Sequence, residues 1–537
     1  MLSHVARSLL RTTASRLPLP GVDSAVHVLG ANHSLRNVVI SFKRTMAAEP
    51  FKSFSDPEVS KFLDDAYKLI KEDVLQKGTD GSVPVLQFQH PQELMDLLPL
   101  DISSGPVSHD TLLDGMKSII KYSVKTGHPH FYNQLFGGLD PYSQAGSWLS
   151  ESLNSNIHTF EVSPVFIVME KYLFKKMCDI IGFENGDGIF CPGGSASNVM
   201  ALQVARYKKF PQVKTEGIYG LPKLRCYISE DGHYSLKKAA GYLGLGSDNV
   251  VPVKTDEQGR ILTDDLEQKI QEDLQKGYAP LFLMATSGST VLGSFDDLTA
   301  LSKVCRQHGI WLHADACWGG GTLLSKKHRH LMDGVHLCDS VAWNFHKIYG
   351  TPVQCSALLI NDQKILLDAN SSKAEYLFQP DKCYDVSYDV GDKTVQCGRK
   401  VDVVKLWLQW KAFGDSGFEA RVDRAFDNVR YLQEKVKTTE GFRLIMPEFQ
   451  FVNACFWYIP PRLRGQEETK EWWAEVGKVA PKVKERMVKA GTMMINYQPL
   501  SSKGLVNFFR LIVHNPSNTY KDMDFIISEI DRLGWDL

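Results

Sequence analysis

Four short apolar segments, Leu281 to Ala285, Ile310 to Ala314, Ser340 to Trp343 and Ala357 to Ile360, recur through the middle of the chain with helical or loop sequence between them. Strands that alternate with helices in this way argue for an α/β fold: a mainly parallel sheet with helices on both faces. In such sheets ligands bind at the carboxyl ends of the strands. The residues just after each apolar segment are therefore the first place to look for chemistry. The flanks read differently. From Asp56 to Tyr122 apolar residues recur at helical spacing, first as Val59, Phe62, Leu63, Ala66 and Leu69 and then as Leu112, Met116 and Ile119. After Ser163-Pro164 a long amphipathic helix over Val165 to Ile181 should stop at Gly182. Beyond Trp407, helices over Phe418 to Lys437 and Trp472 to Ala490 mix with strands over Asn453 to Tyr458 and Asn507 to Val513, the pattern of a smaller α/β domain. The expected organisation is an extension over 1–48, a helical segment over 49–128, a large domain over 129–407 and a small domain over 408–537.

Charge and cysteine usage narrow the function classes. Lys plus Arg total 61 against 62 for Asp plus Glu, so no global field favours nucleic acid or an anionic membrane. No apolar run approaches the roughly 18 residues of a membrane span. The ten cysteines contain no CxxC pair and the first is Cys178, which reads as reduced intracellular thiols. No metal site is expected, since His328 with His330 has no partner set. The first 45 residues carry Arg7, Arg11, Arg16, Arg36, Lys43 and Arg44 against the single acid Asp23, the composition of a mitochondrial transit peptide. Met46-Ala47-Ala48-Glu49-Pro50 reads equally as a cytosolic start. The expectation is a cytoplasmic protein, with mitochondrial as the alternative.

Polar residues sit where the strands should end. Asn344-Phe345-His346-Lys347 follows the segment ending at Trp343 and would expose a lysine amine on the ligand side, although a lone lysine there is usually a solvated charge. Leu312-His313-Ala314-Asp315-Ala316-Cys317 sets an aspartate at the end of another buried strand. A buried carboxylate is costly without a cationic partner, so a protein cation or a protonated heterocycle should lie beside Asp315. Upstream, Cys191-Pro192-Gly193-Gly194-Ser195-Ala196-Ser197-Asn198 runs into an apolar helix, and small residues at a helix N-terminus leave N–H groups free to face an anion. A tight turn with a Ser cap explains that loop equally well. His233, in Glu230-Asp231-Gly232-His233-Tyr234-Ser235, is by itself a plain loop histidine. Pyridoxal phosphate would use the set: its aldehyde needs a lysine, its ring nitrogen a carboxylate and its phosphate an anion cradle.

In this order the elements resemble the group II pyridoxal-phosphate-dependent amino-acid decarboxylases, in the branch that holds glutamate and cysteine sulfinate decarboxylases. The resemblance runs from residue 70 to 537 and rests on His128-Pro129 through Asn133-Gln134-Leu135, Gly186-Asp187-Gly188 with Cys191 to Asn198, Ala285 to Thr290, His313 to Gly320, Asn344 to Lys347, Tyr384 to Gly398 and Asn507-Phe508-Phe509-Arg510. It implies the fold type I architecture of these enzymes, pyridoxal 5'-phosphate as cofactor, and a homodimer with the active site at the subunit interface. It further implies that Lys347 attaches the cofactor, Asp315 pairs with the ring nitrogen and His233 stacks over the ring. Ser195, Ala196, Ser197, Asn344 and His346 would line the phosphate side, Thr286 would lie near the ring substituents, and Cys317 beneath the ring. Arg510 and Gln134 would hold the substrate α-carboxylate, Arg510 by a charge-assisted fork. Tyr384 would belong to a mobile loop that covers the site and returns a proton after CO2 leaves.

Three positions depart from the pattern of that family: Phe345 stands for a usual proline, Ala314 for a valine and Cys317 for an alanine. They leave a weakened, binding-only protein as an alternative of another class. The expected reaction is α-decarboxylation of a small acidic amino acid. Phe136 stands where glutamate decarboxylases carry serine and cysteine sulfinate decarboxylases carry Phe, which shortens the pocket and favours cysteine sulfinate (to hypotaurine, a step toward taurine) or aspartate (to β-alanine) over glutamate. Asn156 is similar to glutamate decarboxylases, keeping glutamate as the alternative. His158 replaces an aromatic residue of both groups and could donate a hydrogen bond to a short acid.

Overall fold

The computed structural model describes residues 53–102 and 104–537. The basic stretch 1–48 lies outside the described residues. By its internal contacts the chain divides between Asp65 and Ala66. Of the first unit the described part carries the opening turns of a helix, Pro57–Leu69; the architecture below is that of Ala66–Leu537.

The apolar segments form strands close to where the sequence put them. The large sheet contains β1 (Asp187–Cys191), β2 (Leu224–Ser229), β3 (Val250–Val253), β4 (Ala279–Thr286), β5 (Trp311–Asp315), β6 (Ser340–Asn344) and β7 (Ser356–Ile360), in the spatial order β1-β7-β6-β5-β4-β2-β3. The strands from β3 to β6 are mutually parallel. β7 runs antiparallel to both β6 and β1. Residues 345–355 join β6 to β7 without a helix, and that link is shorter than the dozen or so residues a parallel crossover needs, so the chain can only turn back. Alternate residues of one strand enter opposite cores: Leu283 and Leu359 belong to one apolar cluster, Met284 and Leu358 to the other. Both faces are covered by helices, which is why the strands read as continuous apolar runs rather than as alternating ones.

The long helix expected over Val165 to Ile181 runs Pro164–Ile181, with proline in its first turn and Gly182 ending it at φ 95°. It buries Glu170, whose carboxylate takes both Nη groups of Arg399 at 2.9 Å in a fully enclosed fork. A second, antiparallel sheet is built from β8 (Phe442–Leu444), β9 (Asn453–Tyr458), β10 (Asn496–Leu500) and β11 (Leu505–Ile512), in the order β10-β11-β9-β8. Helix Lys470–Ala490 packs on β11. Helix Val403–Thr438 spans position 407 and is broken at Gly414, φ 63°. Tyr132 lies between the two ends of this region: its N–H donates to Met494 O (2.8 Å) and its carbonyl accepts from Ile512 N (3.0 Å). That pairing brings residues 133–136 next to β11. Among the described residues no helix is long and apolar enough to cross a membrane.

Candidate active site

β4, β5 and β6 end side by side, and a cavity of ≈ 190 Å³ opens at their carboxyl ends. Thr286 from the end of β4, Asp315 from the end of β5 and Asn344 from the end of β6 line it, with His346 and Lys347 just beyond β6. Ser195, Asn198, His233, Tyr234 and Cys317 complete much of the wall. Lys347 is the one lysine among these lining residues. The backbone leading to it is held by Phe345, whose N–H donates to Cys355 O at 3.0 Å. Proline could not make that bond. The Phe345 ring is fully buried and stacks on Trp343 (4.7 Å) and Tyr349 (5.7 Å). The departure at 345 is thus absorbed by an aromatic cluster, and the approach to Lys347 is well anchored.

Asp315 is almost wholly buried. Burial alone would raise its pKa, but Lys347, then His233, the hydrogen bond from the Cys317 thiol and His313 outweigh it and hold the carboxyl below its ordinary value. Cys317 N donates to Oδ1 at 3.2 Å and Asn198 Nδ2 to Oδ2 at 3.0 Å. His233 is kept below its usual pKa by burial, which Asp315 only partly offsets. His346 is lowered to about 4, first by burial and then by Lys347 and Lys405, against its bond to Cys355. A neutral imidazole therefore faces the cavity. The Cys317 thiol is pushed up by burial and by Asp315, so it remains a thiol at neutral pH.

The loop Gly193–Ser197 forms the other wall. Gly193 sits at φ 92°, open only to glycine. A Cβ on Gly194 would overlap Cys317 Sγ and lie 2.9 Å from Asn344 Nδ2. Both glycines are thus required, one for backbone shape and one for space. Helix Gly194–Lys209 begins here, with its first N–H groups uncapped by a side chain. The buried hydroxyl of Ser197 meets Ser356 Oγ at 3.0 Å, and Ser356 donates to Asn344 Oδ1 at 2.5 Å. Thr286 Oγ1 is buried without a hydrogen-bond partner. A lysine, a charged carboxylate, an uncapped helix N-terminus and an orphaned hydroxyl around one cavity fit the parts of pyridoxal 5'-phosphate.

The expected substrate residues lie outside this cavity. Arg510, on β11, is 2% exposed; its Nη1 donates to Thr290 O and its Nη2 to Asn133 O, each at 2.9 Å, and Nε has no partner. Thr290 lines the cavity, so Arg510 stands one residue behind the wall. Beside it the sequence reading missed Lys484, whose Nζ donates to Asn133 Oδ1 and Ile495 O. Burial, then the charge of Arg510, lowers Lys484 to about 8. Gln134 is exposed and Phe136 is 37% exposed. Asn156 uses its Oδ1 to accept from Arg399 N (2.8 Å), and the His158 carbonyl accepts from Gly391 N (2.7 Å). Tyr384 donates to Asp389 Oδ1 at 3.0 Å and accepts from Glu161 N at 3.3 Å, with its ring 5.0 Å from that of Phe160. Also missed were Asn198 as a ligand of Asp315 and His313 behind it. The signal was there, since both are polar residues inside apolar stretches.

Comparison with known proteins points to the same cofactor. The family model for the pyridoxal-dependent decarboxylase conserved domain matches residues 91–459. Cysteine sulfinic acid decarboxylase of Homo sapiens is 50% identical over 480 residues, 89% of this chain and 97% of the human one. Acidic amino acid decarboxylase GADL1 of Mus musculus is 50% identical over 478 residues, covering 89% and 86% of the two chains. A crystal structure of mouse CSAD superposes with a TM-score of 0.88 at 48% identity, over 90% of this chain and all of that one. A cavity fitted to pyridoxal 5'-phosphate thus lies within a chain matched along most of its length, and the protein belongs to the pyridoxal-dependent decarboxylases, enzymes that use this cofactor to remove a carboxyl group from an amino acid.

Proposed function

We propose that this enzyme decarboxylates cysteine sulfinate, with aspartate as a second substrate, as a homodimer. The acidic-substrate reading is supported by two cations on which no carboxylate of the described residues acts: the buried Arg510 answers to the α-carboxylate that every amino acid carries, and the half-buried Lys484 beside it leaves positive charge for a second acid. Two like charges drawn out of water are costly until an anion joins them. The names of the human and mouse relatives point to the same class of substrate.

When bound, the cofactor supplies the sink for the electron pair that CO2 leaves behind. The chain's residues do the rest. Lys347 would offer the amine for attachment, Asp315 would keep a proton on the ring nitrogen, and His233 would cover the ring. The first N–H groups of helix Gly194–Lys209, with Ser195, face the phosphate. Arg510 draws in the α-carboxylate. Tyr384 is the proton carrier of a loop that reaches a cavity across the subunit interface.

Three features support the homodimer. Tyr384 does not line the cavity of its own chain. Tyr234, in the cavity wall, is 58% exposed. Helix Pro164–Ile181 turns Val165, Val168 and Tyr172 outward. Sedimentation at micromolar concentration should give twice 60.4 kDa; a stable, fully active monomer would refute the assembly. All ten cysteines are free and eight are buried, which fits the reducing cytoplasm.

Substrate choice is tested at Phe136, on the segment that Arg510 anchors through Asn133. Its bulk should disfavour the extra methylene of glutamate by about 1–3 kcal/mol, a 10–200-fold effect on kcat/KM. Wild type should prefer cysteine sulfinate and aspartate to glutamate, and Phe136→Ser should narrow the gap. Glutamate as the best wild-type substrate, or three unchanged ratios in the variant, would overturn the assignment.

A further inference from the structure

Behind Asp315, on the side away from the cavity, polar side chains form one hydrogen-bonded line whose direction can be deduced. Trp311 Nε1 can only donate, and it gives its hydrogen to Ser340 Oγ at 2.8 Å. The Ser340 hydroxyl stands 2.8 Å from His313 Nδ1 and can give its own hydrogen there. The His313 ring is fully buried, and burial brings its pKa to about 4, so it is neutral with one N–H; because Asn198 must turn Nδ2 to the Asp315 anion and Oδ1 to His313, that N–H is on Nε2. That N–H donates to Asn198 Oδ1 at 2.9 Å. The Asn198 amide is fixed by the acceptors it faces: Nδ2 donates to Asp315 Oδ2 (3.0 Å) and to Ser235 Oγ (2.9 Å). The backbone N–H of Ser235 in turn donates to His233 Nδ1 at 3.3 Å. One buried amide is therefore tied to the carboxylate that serves the ring nitrogen and to the turn that carries the ring-covering histidine.

We propose that Asn198, held by His313, is a positioning residue of the cofactor site: it aims Asp315, preserves its charge and sets the His233 turn at the same time. This rests on the assignment of Asp315 and His233 made above. Asn198→Asp is the sharpest probe, because it replaces the donor by an oxygen with almost no change of shape. Two carboxylates 3.0 Å apart cannot both stay ionised, so Asp315 would come to share a proton. His313→Gln keeps a donor near the Nε2 position, whereas His313→Leu removes it. Ser340→Ala frees the His313 tautomer without touching Asn198 and serves as a gentler probe should Asn198→Asp not fold.

The full chain, stripped of cofactor, should be titrated with pyridoxal 5'-phosphate for Kd, assayed for kcat and KM, and melted as the apoprotein. Loss of a hydrogen bond to a charged group should raise the cofactor Kd of Asn198→Asp and His313→Leu by at least about tenfold. Their kcat should fall while the substrate KM stays within about twofold, because the group acts on the chemistry rather than on substrate binding. His313→Gln should recover most of the loss, and Ser340→Ala should shift Kd in the same direction by less. The proposal is overturned if the variants lower only the melting temperature and leave Kd and kcat at wild-type values, or if His313→Gln is no better than His313→Leu. Asp315→Asn run alongside separates the two claims. If it is unimpaired, the assignment of Asp315 falls and this proposal with it; if it is impaired while Asn198→Asp is not, only the proposal falls.

Discussion

Lys347→Ala should abolish turnover and yield a protein with no covalently held cofactor and no visible absorption band. The expectation is absolute because no other amine among the described residues is placed to substitute. Lys347 is the only lysine among the residues lining the cavity. Lys405 is more deeply buried than Lys347, but its ammonium pairs with Asp402 at 2.6 Å and donates to the carbonyls of Pro352 and Gln354. Lys484 is committed to Asn133 and Ile495 behind the Arg510 wall. The substitution should leave the fold intact, since the turn is held by Phe345 N to Cys355 O and by the stack of Trp343, Phe345 and Tyr349 rather than by the lysine itself. The check is borohydride reduction followed by peptide mass analysis. Wild type should carry the cofactor mass on the peptide containing residue 347, and the variant should carry none. Covalent cofactor on another peptide of the variant, or turnover above the blank, would move the attachment point.

How far the sequence could anticipate this site depends on which physical signal each residue leaves. Lys347 and Asp315 were legible because a charged residue at the end of an apolar strand is anomalous and two such anomalies at neighbouring strand ends imply a shared cavity. The strands were legible for the same reason, with β9 found over Asn453–Tyr458 as expected. The direction of β7 was not. A run such as Ala357 to Ile360 is buried on both faces, so it has no alternation and no polarity; the reversal is written in the length of the preceding link. Asn198 and His313 are 115 residues apart, and only the pairing of helix Gly194–Lys209 with β5 makes them neighbours. Asn156 was singled out by its resemblance to glutamate decarboxylases, and its amide oxygen accepts from the backbone at Arg399. A residue that caps a loop and one that binds a ligand leave the same mark on a sequence. Lys484 gave no signal at all, because a lysine within the charged run Lys482 to Lys489 reads as solvated until helix Lys470–Ala490 is seen to turn it inward.

Asp315→Asn should be the most damaging change that leaves Lys347 in place. Burial would by itself favour the protonated carboxyl, but Lys347, His233, the Cys317 thiol and His313 more than reverse this, so the wild-type group is an anion at neutral pH. An amide at 315 has one acceptor oxygen for two donors, Asn198 Nδ2 and Cys317 N, so one of those bonds is lost as well as the charge. Removing one partner of a buried charge pair costs about 3–5 kcal/mol. Felt at the transition state, that lowers kcat by about 10²–10³-fold or more. Cofactor affinity should fall with it. The sign of the pH effect follows from the depressed pKa. Ionisation of Asp315 favours the folded chain above the ordinary carboxylate range, and this contribution disappears as pH falls through the depressed value. Melting temperatures of wild-type and Asp315→Asn apoprotein should therefore differ near neutral pH, with the wild type the more stable, and converge in acid. A kcat near that of wild type would show that the ring nitrogen finds its partner elsewhere, and a difference in melting temperature that grows as the pH is lowered would show that Asp315 is not held ionised.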